Sequence, residues 1–133
     1  MIELFQLGDF TLASGARSRW KIECDAITPA GWAALAAMAA ERLPPFGPVY
    51  GVPRGGLPFA EALRKYATPG CQAALVAEDV VTTGGSIERY VEAMSNDPQT
   101  SFSPHYTGVC VFARGKCPAW VTPLFQMSEV RRP

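Results

Sequence analysis

The sequence has no excess of charge of either sign, no apolar stretch long enough to cross a membrane and no internal repeat. Its 133 residues carry 12 basic and 12 acidic side chains, so its overall charge gives no reason to expect nucleic acid or an anionic membrane as a partner. No apolar run approaches the ~20 residues that a membrane-spanning helix needs. We therefore expect a protein without a membrane span whose partner is a small molecule.

The cysteines and the single histidine carry no recognisable site. His105 lies outside every motif and is expected to be a loop residue rather than a catalyst. The cysteines are scattered, with no C-x-x-C pair and no secretory signal pattern ahead of them, so we predict reduced thiols in a cytoplasmic protein. They are Cys24, Cys71, Cys110 and Cys117.

Helical and extended patterns alternate along the chain. Thr28 and Pro29 predict the N-cap and first residue of a helix whose apolar positions continue to Leu43. A second helix is predicted at 57–66, and a third begins after Ser86, which is predicted as its N-cap. Short apolar runs at 48–52, 73–77 and 108–113 are predicted strands. Strands that are apolar on both faces and alternate with helices indicate an α/β fold with a parallel sheet covered on both sides.

The length of the chain fits one domain, residues 1–133. The alternating elements lie in a core of residues 26–118. The segments 1–25 and 119–133 fall outside the alternation, and we expect them to form a small subdomain against one edge of the sheet.

A cluster of polar residues follows the strand predicted at 73–77. Glu78 and Asp79 fall at its carboxyl end, which is where open α/β sheets bind ligands. The glycines that follow allow backbone N–H groups to converge on one anion, while hydroxyl donors and the positive end of a helix add to the attraction. The predicted phosphate cradle comprises Thr82, Thr83, Gly84, Gly85 and Ser86.

Two carboxylates beside a phosphate would repel it unless they face something else. Vicinal hydroxyls, or a divalent cation chelated by the same ligand, would suit them. The pattern therefore indicates a sugar phosphate with a free diol. The alternative is an ordinary strand-to-helix turn, which has no need of two carboxylates at the end of a buried strand.

At these residues the sequence resembles the type I phosphoribosyltransferases, and the orotate phosphoribosyltransferases in particular. Residues 77–86, AEDVVTTGGS, are similar to the family's motif for phosphoribosyl pyrophosphate (PRPP). Residues 49–58, VYGVPRGGLP, resemble its pyrophosphate loop, and residues 10–15, FTLASG, resemble the N-terminal stretch of the orotate enzymes. The resemblance implies a Rossmann-like phosphoribosyltransferase fold whose small hood is formed by residues 1–25 and 119–133.

The resemblance also implies an activity and its residues. Ribose 5-phosphate would pass from PRPP to a ring nitrogen of a small nitrogenous base, and pyrophosphate would leave with Mg2+. Glu78 and Asp79 would bind the ribose hydroxyls, and Asp79 would face the metal through PRPP. Residues 82–86 would hold the 5′-phosphate. The pyrophosphate would lie on Pro53, Arg54, Gly55 and Gly56, with Arg54, Glu78 and Asp79 as the catalytic residues.

Two basic residues are candidates for contact with the acceptor base. Arg17, Arg19 and Lys21 alternate along a predicted strand and form a basic face, which would be either a solvated edge or a wall of the site. Lys21 is the candidate from this face. Arg114, directly after an apolar strand, is the second candidate.

The chain departs from the family pattern at three places. Residues 66–71 leave almost no room for the mobile loop that closes over the substrate in longer members. Ala13 replaces the family's lysine, and Lys21 with Ile22 replaces an aromatic pair. These departures leave the acceptor open between a pyrimidine, a purine and another nitrogen heterocycle. They also leave open a sensor or regulatory protein that binds PRPP or a nucleotide without turnover, a structural domain, and a homodimer formed through the alanine-rich helix.

Overall fold

The computed structural model describes residues 2–12, 15–100 and 102–127. In this part of the chain, six strands form two sheets. β1 (Phe5–Thr11) and β2 (Arg17–Ile22) form an antiparallel hairpin, and the remaining four strands form a parallel sheet in the order β3-β4-β5-β6. These strands are β3 (Val49–Gly51), β4 (Ala74–Val81), β5 (Tyr106–Ala113) and β6 (Val121–Gln126).

Three α-helices connect and cover the strands: α1 (Pro29–Arg42), α2 (Leu57–Leu63) and α3 (Gly85–Asn96). Short 3-10 turns lie at Cys24–Ala26 and Arg64–Tyr66. The predicted start of α1 is confirmed, because the Thr28 hydroxyl accepts a hydrogen bond from the N–H of Gly31 at 3.1 Å. None of the described helices is long and apolar enough to cross a membrane.

Each face of the parallel sheet has its own apolar core. On one face α1 and α2 pack against alternate residues of β4 and β5, with Trp32 and Phe59 in ring contact at 5.9 Å between centroids. On the other face α3 buries Ile87 and Val91 against Val76 and its neighbours. The predicted parallel sheet, covered on two sides, is therefore confirmed.

The assignment of residues 119–133 to the hood is wrong for residues 121–126. These residues form β6, which pairs parallel with β5 and buries Val121 and Leu124. Pro123 is typical of a non-strand segment, but a proline is tolerated here because β6 is an edge strand with only one hydrogen-bonded neighbour. Residues 128–133, and Met1, Ala13 and Ser14 of the N-terminal segment, lie outside the described residues.

Candidate functional site

A cavity of about 530 Å³ lies where β4 and β5 end beneath the β1–β2 hairpin. It brings together nine of the predicted site residues, which come from four separate parts of the chain. They are Lys21, Pro53, Gly55, Glu78, Asp79, Thr82, Gly84, Ser86 and Arg114. The fold therefore groups these predicted residues around one cavity, although their individual positions differ in part from the expected ones.

Glu78 and Asp79 lie within β4 rather than beyond its end, because the strand continues to Val81. The Glu78 side chain is turned into the protein and is only 5% exposed. One of its oxygens, Oε1, accepts the N–H of Asp79 at 3.0 Å, and Oε2 accepts the Ser86 hydroxyl at 3.4 Å. Burial, with a smaller contribution from Asp79, raises the pKa of Glu78 to about 9. Glu78 is therefore protonated near neutral pH.

Asp79 is the acid that remains partly exposed to the cavity. Its Oδ1 accepts the N–H of Val80 at 2.7 Å. Gly55 lies directly against its carboxylate, and a Cβ at Gly55 would overlap those oxygens. The loop after β3 and the acid on β4 are thus in contact, and only a glycine allows the approach.

The loop after β3 is hydrogen-bonded to β4 and within itself. The N–H of Val52 donates to the carbonyl of Ala77 at 2.9 Å, and the N–H of Gly56 donates to the carbonyl of Val52 at 2.8 Å. Gly56 is buried with no space for a Cβ, so its role in the structure is close packing. Arg54 is exposed and is not among the described residues that line the cavity.

The predicted phosphate cradle leads into the N-terminus of α3. Gly84 occupies the N-cap position with φ +88°, a left-handed conformation that glycine adopts readily. Ser86 is not the predicted N-cap, because it lies in the first turn and its hydroxyl donates to Glu78. The first N–H groups of a helix have no helical partners, so this end of α3 is suited to an anion. One of these N–H groups, that of Gly85, donates to the Thr83 hydroxyl oxygen at 3.3 Å.

The β5–β6 connection supports the cradle from outside. A Cβ on Gly84 would lie 3.0 Å from the ring of Pro118, and a Cβ on Gly115 would overlap the carbonyl of Thr82. The N–H of Arg114 donates to the carbonyl of Val81 at 2.8 Å. These contacts fix the turn in which the cradle lies.

The two candidate base contacts are both engaged with the hairpin. The Arg114 guanidinium lies 3.5 Å from the centroid of the Trp20 ring and donates to Ser18 Oγ at 2.9 Å and to the Trp20 carbonyl at 3.2 Å. Lys21 Nζ lies 3.3 Å from Glu23 Oε1 and 5.0 Å from the centroid of the Phe10 ring. Arg114 therefore ties the hairpin to the end of β5.

Sequence reasoning missed several hairpin residues that line the cavity, including Asp9, Phe10 and Thr11. Asp9 lies beside a register shift in the β1–β2 pairing, between Leu7 and Phe10. A local distortion of this kind has no reliable pattern in a single sequence. The resemblance at residues 10–15 was a signal for Phe10 and Thr11, although neither was predicted as a site residue.

Comparisons with known proteins define the fold. Solved structures of orotate phosphoribosyltransferases match over most of both chains. That of Aeropyrum pernix matches at 22% sequence identity with a TM-score of 0.71, covering 92% of this chain and 88% of the other. That of Mycobacterium tuberculosis, in complex with Fe(III) dicitrate, matches at 18% identity with a TM-score of 0.67, covering 92% of this chain and 89% of the other. The Leishmania donovani UMP synthase matches at 18% identity and 0.72, covering 93% of this chain and 34% of that longer protein.

No protein-family model and no curated protein matches the sequence. At these identities the structural matches establish the fold. The chain has the Rossmann-like fold of the phosphoribosyltransferases. The predicted resemblance to the orotate phosphoribosyltransferases is confirmed at the level of the fold.

Proposed function

We propose that the protein is a PRPP-dependent phosphoribosyltransferase that transfers ribose 5-phosphate to a small nitrogenous base. The observation that carries the proposal is the position of Asp79: it lies in one cavity with the Gly84 turn and against the Gly55 loop. A diol-binding carboxylate, a phosphate cradle and a second anion loop within one cavity are the three elements that PRPP requires.

The chain's own residues would act mainly by binding and positioning. Asp79 would accept hydrogen bonds from the ribose hydroxyls, and Glu78 would hold Asp79 and Ser86 in place from beneath. The cradle, residues 82–86, would bind the 5′-phosphate. The pyrophosphate would lie along Pro53, Gly55 and Arg54, whose exposed side chain can reach a charged leaving group.

In the transfer step the bond between ribose C1 and the pyrophosphate oxygen breaks, and its electron pair leaves with the pyrophosphate. A ring nitrogen of the base forms the new bond to C1, and the proton of that nitrogen passes to solvent. Because positive charge develops on the ribose and negative charge on the leaving group, fixed charges and dipoles placed near both supply most of the catalysis.

The donor set fits Mg2+ brought by the substrate. No group of three or more His, Cys, Asp or Glu side chains that could hold a metal occurs in residues 2–12, 15–100 and 102–127. Mg2+ is commonly bound by one or two carboxylates together with substrate phosphates. Asp79 would be its protein contact, and the metal would supply neutralisation of the pyrophosphate charge.

A second function is a PRPP or nucleotide sensor without turnover. The observation that favours it is the short connection between the Arg64–Tyr66 turn and β4, which begins at Ala74. Release of pyrophosphate from PRPP in the presence of a base separates the two functions, because a sensor releases none.

The proposal is tested by calorimetric titration of the purified protein with PRPP, with and without Mg2+, and with ribose 5-phosphate as control ligand. We expect tighter, metal-dependent binding of PRPP. Asp79→Ala should weaken PRPP binding at least ~10-fold, because hydrogen bonds to a charged acceptor contribute ~1.5 to 3 kcal/mol each. The exposed Asp25→Ala variant is the matched control. Equal affinity of both variants for PRPP would contradict the role of Asp79.

A further inference from the structure

One side of the cavity is formed by the hairpin and by Arg114, which directly follows β5. An acceptor base attached at ribose C1 would face this side. Among the described residues that line the cavity, the cationic ones are Lys21 and Arg114. Whether the cavity can accept a negatively charged base therefore depends on whether these two cations can pair with it.

The charge of Lys21 is already paired within the hairpin. Its Nζ lies 3.3 Å from Glu23 Oε1, and the two side chains are 34% and 28% exposed. The same Nζ lies over the Phe10 ring, 5.0 Å from its centroid. A pair at this distance and partial burial presents a dipole rather than a net positive charge to the cavity.

Arg114 is committed to the hairpin even more fully. Its guanidinium carbon lies 3.5 Å from the centroid of the Trp20 ring, and its Nη1 and Nη2 donate to the Trp20 carbonyl and to Ser18 Oγ. A carboxylate is bound best by two parallel N–H donors of one guanidinium. The hairpin therefore engages two of the five N–H donors of Arg114, one on each terminal nitrogen.

The same cavity is lined by Asp9 on the hairpin and by Asp79 on β4. A negatively charged base would thus meet the Asp9 carboxylate, while Lys21 is paired with Glu23 and the Arg114 guanidinium is engaged with Ser18 and Trp20. We infer that the acceptor is an uncharged nitrogen heterocycle rather than a carboxylate-bearing base. This inference rests on the proposed function and specifies its substrate class.

Transfer to an uncharged base involves the same bonds. The ring nitrogen forms its bond to ribose C1, the bond from C1 to the pyrophosphate oxygen breaks with its electron pair on the leaving group, and the ring N–H proton goes to solvent. A carboxylate on the base takes no part in these bonds, so its removal changes recognition and leaves the chemistry unchanged.

The test compares two nucleotides that differ by a single carboxylate. Uridine 5′-monophosphate and orotidine 5′-monophosphate share the ring, ribose and 5′-phosphate, so both would be anchored by the same cradle. Calorimetric titration of the whole chain, at fixed ionic strength, should show the uridine nucleotide binding at least ~10-fold more tightly, which corresponds to one unfavourable charge contact near a protein surface.

Glu23→Gln tests the cause of the preference. Glutamine keeps an oxygen that can accept the N–H of Asp25, as Glu23 does at 3.4 Å, but it leaves Lys21 without its counter-charge. Binding of orotidine monophosphate should then strengthen ~10-fold while binding of uridine monophosphate stays the same. Glu61→Gln is the matched control, because it removes the carboxylate of another ion pair, with Arg64 at 2.7 Å, on α2.

The outcomes separate this inference from the proposed function. Equal or tighter binding of orotidine monophosphate by the unmodified protein, with PRPP binding intact, overturns the uncharged acceptor and leaves the phosphoribosyltransferase proposal standing. An unchanged affinity of Glu23→Gln for orotidine monophosphate overturns the role of the Lys21–Glu23 pair. Failure to bind PRPP and both nucleotides overturns the proposed function and this inference with it.

Discussion

Replacing Glu78 by glutamine should remove a loss of stability that the unmodified protein suffers as the pH rises. The Glu78 carboxyl is buried, and it lies beside the Asp79 carboxylate. Both conditions disfavour ionisation and raise the pKa of Glu78 to about 9, with burial as the larger cause. Glutamine resembles the protonated acid in shape and charge, and it can retain the hydrogen bonds to Asp79 N–H and Ser86 Oγ.

The sign of the effect follows from the two protonation states. The reference pKa of the glutamate is 4.5, so between that value and about 9 the folded protein holds a proton that the unfolded chain has released. The free energy of unfolding therefore falls as the pH rises through this window, by at most ~1.4 kcal/mol per pH unit for one proton. From about pH 6 to about pH 8 the loss attributable to Glu78 is at most about 3 kcal/mol.

Urea unfolding of the unmodified protein and of Glu78→Gln, followed by circular dichroism at several pH values, measures this difference. The contribution of all other groups cancels when the two free energies are subtracted. Glu88→Gln, which changes an exposed acid in the first turn of α3, is the control and should keep the slope of the unmodified protein. Parallel pH profiles for the unmodified protein and Glu78→Gln would show that Glu78 is ionised in the folded state and would refute the reasoning.

Three further predictions test the packing around the site. Gly84→Ala and Gly70→Ala both place a side chain at positive φ (+88° and +82°), so each should lower stability by ~1 to 2 kcal/mol, but only Gly84→Ala, which also meets Pro118, should weaken ribose 5-phosphate binding in a titration. Phe59→Ala, at a fully buried position, should lower the free energy of unfolding in urea by ~3 to 5 kcal/mol. Arg114→Lys should speed proteolysis at the hairpin while the core remains protected, since lysine cannot stack and donate as the guanidinium does; unchanged cleavage would contradict the anchoring role.

The parallel sheet and the position of the site could be predicted because their signals are local. Apolar runs with breakers marked three of the four parallel strands, and Thr28 with Pro29 marked the start of α1. The cluster of acids, hydroxyls and glycines at 78–86 marked the strand end where the cavity lies. Each of these features is encoded within about ten residues, which is the range over which periodicity and capping act.

The features that could not be predicted depend on long-range contacts. Trp20 and Arg114 meet across 94 positions of sequence, and nothing near either residue indicates the other. β6 contains Pro123 and becomes a strand because β5 offers it an open edge. Ser86 had the residue type of an N-cap, but Gly84, with its left-handed backbone, takes the N-cap position instead.

The two adjacent acids of the site have different surroundings because successive side chains of a strand point to opposite faces of the sheet. Glu78 points to the face covered by α3, where it reaches Ser86, and Asp79 points to the face of α2, where it reaches Gly55. A charged Glu78 beneath the phosphate cradle would repel the phosphate that the cradle is proposed to bind. Burial keeps this acid protonated, so the cradle retains the positive character of the helix terminus, while the more exposed Asp79 is the acid proposed to face the ribose hydroxyls and the metal. The alternation of one strand thus separates a structural acid from a binding acid at neighbouring positions, and this division is one that strand periodicity alone could have predicted.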